Sequence, residues 1–260
     1  MIERAIMPYT YVASGLSDMG RVRDNNEDVW AEIEELNFFL LADGMGGHQA
    51  GEVASREAAS HMLRLVRKAF KTTRKKSLSD ACKAIKQAII LVNTLVYKLG
   101  RSQEELKGMG TTLCAVLLHD DGAILAHVGD SRIYRLRDGS LEQMTKDHSL
   151  FRKLVDLGQL SEQFAPDFAY KNIITKAIGT ESKVEPTVFS TDIQIGDYYL
   201  LCTDGLSDLL SLKEIETLMR QDISVDQMAE CLIIAANDRG GHDNVTVVLI
   251  KVDDYQNLSR

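Results

Sequence analysis

Little in this chain breaks or staples a fold: its 260 residues include only 3 prolines, 4 cysteines and 1 tryptophan. No proline-rich or Ser/Gly linker, repeat or low-complexity tract divides it, so a single domain is expected over residues 1–260. Cys82, Cys114, Cys202 and Cys231 form no CxxC pair, and each lies in an apolar segment. That predicts buried free thiols in a reducing compartment, not a disulfide framework or a zinc cage. No apolar run approaches the ~18–20 residues that cross a bilayer; the longest candidates, 37–42 and 88–96, are too short or interrupted. The N-terminus has no basic start followed by an apolar stretch and a cleavage site. A cytoplasmic protein without membrane contact is expected. Basic residues are also in deficit, 30 against 38 acidic, for a net charge of −8. A broad phosphate-neutralising face would lean the other way, which argues against a nucleic-acid partner.

What is present is globular. Hydrophobic residues at 45% and charged residues at 26% exclude disordered and fibrous classes. Strand-like runs come first, at 9–17, 29–33 and 37–42. From 52 to about 69, Val53, Ala54, Ala58, Met62, Leu65, Val66 and Ala69 recur at the spacing of one helix face. From 79 to about 99, Ala81, Ile85, Ala88, Ile89, Val92 and Val96 do the same, with Ser77 or Ser79 as cap and Gly100 as stop. Strands resume at 111–119, 123–128, 131–137 and 141–144, separated by Asp-Gly turns that predict antiparallel hairpins. Residues 149–158 look helical, and the polar stretch to about 172 resembles a surface insertion. Strands at 187–191, 198–203 and 245–252 complete the set, with helices at 212–220 and 225–237 between the last two. The order β, αα, many β, αα, β predicts an α+β fold of antiparallel sheets with helix pairs outside. The basic run from Arg67 to Lys76 is either a solvated helix end or a docking patch.

The chemistry lies in a repeated placement. Apolar strands run into aspartates beside glycine at Asp43-Gly44, Gly129-Asp130 and Asp204-Gly205, and Asp243-Asn244 precedes the strand from Val245. Glu27-Asp28 precedes the strand from Val29. Any one Asp-Gly can be a plain turn; the repetition favours carboxylates gathered at one rim. Two carboxylates ~5 Å apart repel by about 3 kcal/mol at an effective dielectric of ~20, so such a cluster needs protons or cations. All-oxygen ligands select hard ions such as Mg²⁺ or Mn²⁺. Two such ions would acidify a bridging water and clamp an in-line displacement at phosphorus. The glycines of 43–51 fit neither dinucleotide nor P-loop patterns, because Gln49 and Glu52-Val53 stand where Gly and Lys-Ser/Thr are required. Arg23 is either a bidentate phosphate grip or a salt-bridge partner of one of the acids. His48 is either a general acid or a helix-start histidine with a structural bond. His61, His119 and His127 are expected to be surface or packing residues.

Taken in order, Arg23-x-x-Asn26-Glu27-Asp28, Asp43-Gly-Met-Gly-Gly-His48, Gly110-Thr-Thr112, Val128-Gly-Asp130-Ser-Arg132, Thr145-Lys-Asp147-His148-Ser149, Thr175-Lys-Ala-Ile-Gly179, Thr203-Asp204-Gly205 and Gly241-His-Asp243-Asn244-x-Thr246 resemble the metal-dependent Ser/Thr protein phosphatases of the PPM (type 2C) group, in their short bacterial form. The resemblance runs over about 14–251. It implies a central β-sandwich of two antiparallel sheets flanked by helix pairs, with two Mn²⁺ or Mg²⁺ ions at one end. By matching position Asp43 would bridge both ions, Asp204 and Asp243 would complete the first, and Glu27 with the Gly44 carbonyl would hold the second. Asp28 would orient the attacking water, Asp130 with Asp204 would hold a weaker third ion, and Arg23 would grip the phosphate. Residues 149–172 match a flap that affects substrate choice. Phosphorylated proteins would be the substrates, with a cognate Ser/Thr kinase as the opposing enzyme, and a monomer is expected. A non-catalytic binding module, a phosphatase of an anti-sigma pathway and a small-molecule phosphatase are the competing readings.

Overall fold

The computed structural model describes residues 9–46, 50–71, 76–161, 163, 170 and 173–254. Two antiparallel sheets form its centre. In the first the order is β1 (Thr10–Asp18), β11 (Val245–Asp253), β10 (Tyr198–Cys202), β7 (Arg132–Arg137) and β8 (Ser140–Gln143). In the second it is β2 (Asp28–Ile33), β3 (Phe38–Met45), β5 (Leu113–His119), β6 (Gly122–Val128) and β9 (Thr187–Thr191), with the two-residue β4 (Gly110–Thr111) also on β3. The α-helices among the described residues are α1 (Ala50–Phe70), α2 (Leu78–Ser102), α3 (Leu150–Asp156), α4 (Asp204–Ser207), α5 (Leu212–Met219) and α6 (Val225–Asp238), and single 3-10 turns lie at Glu34–Leu36 and Glu104–Leu106. The expected α+β sandwich is what the chain forms.

Strand alternation explains why both faces of each sheet are apolar. On β3, Phe38 and Leu40 pack toward α1 and α2, while Phe39 and Leu41 enter the space between the sheets. On β11, Val245, Val247 and Leu249 meet α5 and α6, and Val248, Ile250 and Val252 face the other sheet. Three apolar layers result, so side chains with a period of two are buried whichever way they point. The helices start where their caps dictate. The Ser77 side chain accepts from Asp80 N at α2, and Ser211 with Glu214 and Ser224 with Gln227 form capping boxes at α5 and α6.

Differences from expectation are local. The strand expected over 111–119 is interrupted at Thr112, whose backbone and hydroxyl both bind Asp43. The strand expected to Thr203 stops at Cys202, and Thr203 takes the position before the four-residue α4, which periodicity did not reveal, with its hydroxyl turned to Asp28. Cys114 and Cys202 are buried free thiols as expected, but Cys82 and Cys231 are only half-buried at helix flanks. His61 is half-exposed beside Glu57, while His119 and His127 are buried, His127 stacked on His148. Among the described residues no helix is long and apolar enough to cross a membrane.

The lone tryptophan joins the sheets. Trp30 of β2 lies on Gly15 of β1 so closely that a Cβ there would stand 2.5 Å from the indole. Gly15→Ala is therefore expected to destabilise the fold by about 1–3 kcal/mol. Thermal unfolding followed by tryptophan emission should show a Tm lower by several degrees; unchanged Tm and emission would refute the contact.

Candidate metal centre

Strand register brings the acids to one end of the sandwich. Asp28 pairs with Asp43 across β2 and β3, Leu41 of β3 pairs with Cys114, and Leu113 pairs with Val128, just before Gly129-Asp130. In the other sheet Cys202 pairs with Val247 and with Arg132, so Asp204 and Asp243 leave their strands at the same rim. Antiparallel neighbours start where their partners end, which is why five separated segments meet there.

Asp28 is the most tightly held. Its Oδ2 accepts from Thr246 Oγ1 at 2.7 Å and from Thr203 Oγ1 at 3.1 Å, while Oδ1 is buried with no partner. The hydroxyls form an ordered chain. Asn26 Nδ2 donates to Ser17 Oγ, and Ser17 Oγ lies 2.7 Å from Thr246 Oγ1. Because Thr246 gives its proton to Asp28, Ser17 must be the donor in that pair. Asp43 is fixed through its backbone: its N–H donates to Thr112 Oγ1, and its carbonyl accepts from Thr112 N and Thr111 Oγ1. Glu27 lies in a narrow seam. A Cβ at Gly51 would stand 2.4 Å from Glu27 Oε2, and one at Gly44 would stand 2.2 Å from the Gly51 carbonyl. Only glycine lets these backbones approach so closely beside a carboxylate.

Crowding raises the carboxyl pKa values. Burial pushes Asp28 up to about 7, opposed by the hydrogen bonds from Thr246 and Thr203, reinforced by repulsion from Asp243 and opposed again by a carboxyl hydrogen bond with Asp43. Burial pushes Asp130 up to about 6, with Asp147 adding repulsion. Asp43 is held well above its usual range by burial, then by the charges of Asp28, Asp204, Asp130 and Asp243. Asp204 is raised by burial and then by Asp130, Asp208, Asp243 and Asp28. Burial raises Glu27 as well, opposed by Arg23 and reinforced by Asp243 and Glu52. The acids thus share one field, yet among the described residues no three His, Cys, Asp or Glu side chains close into a ready-made cage. Oxygen-only donors, mutual repulsion and the orphaned Asp28 Oδ1 together fit hard divalent cations.

Of the predicted residues, Glu27, Asp28, Asp43, Gly44, Asp130, Asp204 and Asp243 belong to this rim, and His48 lies outside the described residues. So do 162, 164–169, 171 and 172 of the flap. Arg23 Nη2 bonds Asp243 Oδ2 at 2.7 Å, so the salt-bridge alternative is the one formed here. Sequence reasoning missed four contributors. Asn244 clasps the incoming loop, accepting from Glu27 N and donating to the Met19 and Asn25 carbonyls. Thr203 and Thr246 hold Asp28, and Asp208 adds charge one helical turn beyond Asp204. Their polar side chains beside buried apolar strands were the available signal.

A helix-flanked sandwich with an oxygen-lined acidic rim is the frame of a metal-dependent hydrolase. Comparison with known proteins makes the class specific. A family model described as Protein phosphatase 2C matches residues 21–239. The chain is 37% identical over 239 residues to the serine/threonine phosphatase stp of Listeria welshimeri, covering 90% of this chain and 93% of that one. It resembles the crystal structure of the serine/threonine phosphatase Stp1 from Staphylococcus aureus with a TM-score of 0.86 and 32% identity, covering 97% and 100% of the two chains. It also matches the catalytic domain of the phosphatase PstP, crystallised with 2 manganese ions, with a TM-score of 0.82 and 37% identity over 95% and 100% of the chains. The chain belongs to the protein phosphatase 2C family and is a metal-dependent Ser/Thr protein phosphatase acting on phosphoproteins.

The raised carboxyl groups set a pH dependence. Between the ordinary carboxylate range and about 7 these acids hold protons in the folded chain that the unfolded chain has released, so their contribution to stability falls as pH rises through that window. The buried His127 and His148, lowered to about 4 and about 3, act in the opposite sense up to the ordinary histidine range, and the more numerous acids outweigh them. Chelator-treated protein is expected to melt at a higher temperature at pH 5.5 than at pH 7.5, and Mn²⁺ should raise Tm more at pH 7.5. A metal-free Tm that climbs steadily from pH 5.5 to 7.5 would contradict the crowding.

Proposed function

We propose that this phosphatase uses two Mn²⁺ or Mg²⁺ ions at the rim, Asp43 serving both, Asp204 and Asp243 one, and Glu27 with the Gly44 carbonyl the other. Asp130 with Asp204 is proposed to hold a weaker third ion. The observation carrying this reading is the buried, unpartnered Asp28 Oδ1 within the shared field of Asp43, Asp204 and Asp243. Bound there, the cations would supply the positive charge that acidifies a water and polarises the phosphoryl group.

The chain's own groups do the rest. Asp28, anchored at Oδ2 and raised to about 7, has Oδ1 free to accept a proton from the attacking water near neutral pH. Arg23 is half-exposed, so its guanidinium can turn from Asp243 to two phosphoryl oxygens. Neither of the buried thiols competes as nucleophile, since burial raises Cys114 and pushes Cys202 up to about 12. His48 is proposed to protonate the leaving serine or threonine oxygen. The physiological setting we infer is a cytoplasmic monomer opposing a bacterial Ser/Thr kinase. The flap over 149–172, which begins with α3 capped by Ser149, is proposed to affect substrate choice.

Asp43→Asn and Asp204→Asn are each expected to abolish hydrolysis of a phosphothreonine peptide in Mn²⁺ while far-UV circular dichroism stays native. Near-normal turnover by either variant would defeat the ligand assignment. Arg23→Ala should raise KM roughly 10-fold or more with kcat little changed; an effect confined to kcat would contradict its binding role.

A further inference from the structure

Away from the metal centre, an arginine-lined groove runs beside β2, the edge strand of the second sheet among the described residues. β2 has a strand neighbour on one side only among the described residues. The Gly44 N–H donates to the Glu27 carbonyl, which sets the ladder's alternation. Val29 and Ala31 accordingly direct their backbone groups to β3, while Trp30 and Glu32 direct theirs outward. The side chains of Val29 and Ala31 face α1, and with Ala59 and Leu63 they floor a groove of about 550 Å³. Its wall is Arg56, Arg64 and Arg67, on one stripe of α1. A second groove of about 590 Å³ shares Arg67 and continues past Lys68 and Lys71.

On a chain of net charge −8, this basic concentration over an apolar floor is a local reversal of sign. Arg56 pairs with Glu52 at 2.5 Å and Arg67 with Glu35 at 3.2 Å, while Arg64 approaches His61 Nδ1 at 3.4 Å. Exposed pairs of this kind contribute little to stability, so an incoming carboxylate can displace them. The dimensions suit a strand. Arg56 and Arg67 are 11 positions apart, roughly 16 Å along a helix, which an extended peptide spans in about five residues. Alternate side chains of that peptide share one face, so acids at every second position meet the guanidiniums while its backbone pairs with Trp30 and Glu32. One end of the groove adjoins the metal centre, because Val29 follows Asp28 and Glu52 lies in the field of Glu27.

We propose that this groove docks an extended acidic segment of the phosphoprotein substrate, with Asp or Glu at alternating positions, added as a strand to β2 and guiding the phosphorylated residue to the rim. The free strand edge favours a peptide over a lipid surface, which has no backbone to pair with it. The proposal rests on the phosphatase reading and deepens it.

The test uses the intact protein in Mn²⁺ and the double variant Arg64→Glu/Arg67→Glu. Arg56 is left alone because its partner Glu52 adjoins Glu27. A fluorescent, unphosphorylated peptide carrying Asp-x-Asp-x-Glu should bind the wild type by anisotropy and the variant at least 10-fold more weakly. N-methylation of the peptide's edge-facing amides should weaken wild-type binding similarly. The variant's kcat/KM should fall about 10-fold for a phosphothreonine peptide bearing that acidic stretch. Hydrolysis of a neutral phosphopeptide and of a small aryl phosphate should not change. Acidic-peptide binding insensitive to the charge reversal or to N-methylation would overturn the proposal. So would phosphatidylglycerol vesicles that compete the peptide off the wild type. Absence of aryl phosphate hydrolysis by the wild type would instead defeat the phosphatase reading, leaving anisotropy to decide docking by itself.

Discussion

Carboxylates that repel one another, gathered at the end of a sandwich whose layers are packed mainly with apolar side chains, constrain everything else in this molecule. Burial and mutual charge both act against ionisation at Asp28, Asp43, Asp204 and Asp130. Each factor alone would displace a pKa; together they leave the rim able to reach neutral pH only with protons or cations in it. The apolar layers hold the rim's geometry against that repulsion. Strands buried on both faces cannot slip register without exposing Phe38, Phe39, Leu200 and Leu201.

A second layer of neutral polar groups turns this rigidity into chemical placement. Thr203 and Thr246 leave adjacent strand ends and give both hydroxyl protons to one oxygen of Asp28. Ser17 and Asn26 complete the chain, so the direction of every proton in it is set. Asn244 ties the loop that carries Arg23 and Glu27 to the start of β11. These groups add no charge to a site that already has too much, and they leave the second Asp28 oxygen open.

Much of this was legible in the sequence because the decisive signals were local. The period of α1 and α2, the Asp-Gly turns, and apolar runs leading into Asp43 and Asp204 all record which residues are buried and where strands end. What escaped depended on contacts far apart in sequence. Thr246 reaches Asp28 across the sandwich, and Asn244 reaches back to Met19 and Asn25, links that no spacing within either segment discloses. Arg23 could be narrowed to a phosphate grip or an ion pair, and only the fold shows its partner to be Asp243. Thr112 looked like strand because its neighbours are apolar, yet its role is to bind the Asp43 backbone and break the ladder. The Arg67–Lys76 run was visible as charge, but the groove that its Arg67, Lys68 and Lys71 help line needs the β2 edge, a feature of topology, and 72–75 lie outside the described residues.

If protons stand in for cations at the crowded rim, then cation binding must expel them. Calorimetric titration of Mn²⁺ into chelator-stripped protein at pH 6.5, repeated in buffers of different ionisation heat, counts the protons released. With Asp28 near 7 and Asp43 well above the ordinary carboxylate range, release of about one proton or more per chain is predicted. Tight Mn²⁺ binding with no proton release would contradict the account, as would an absence of binding.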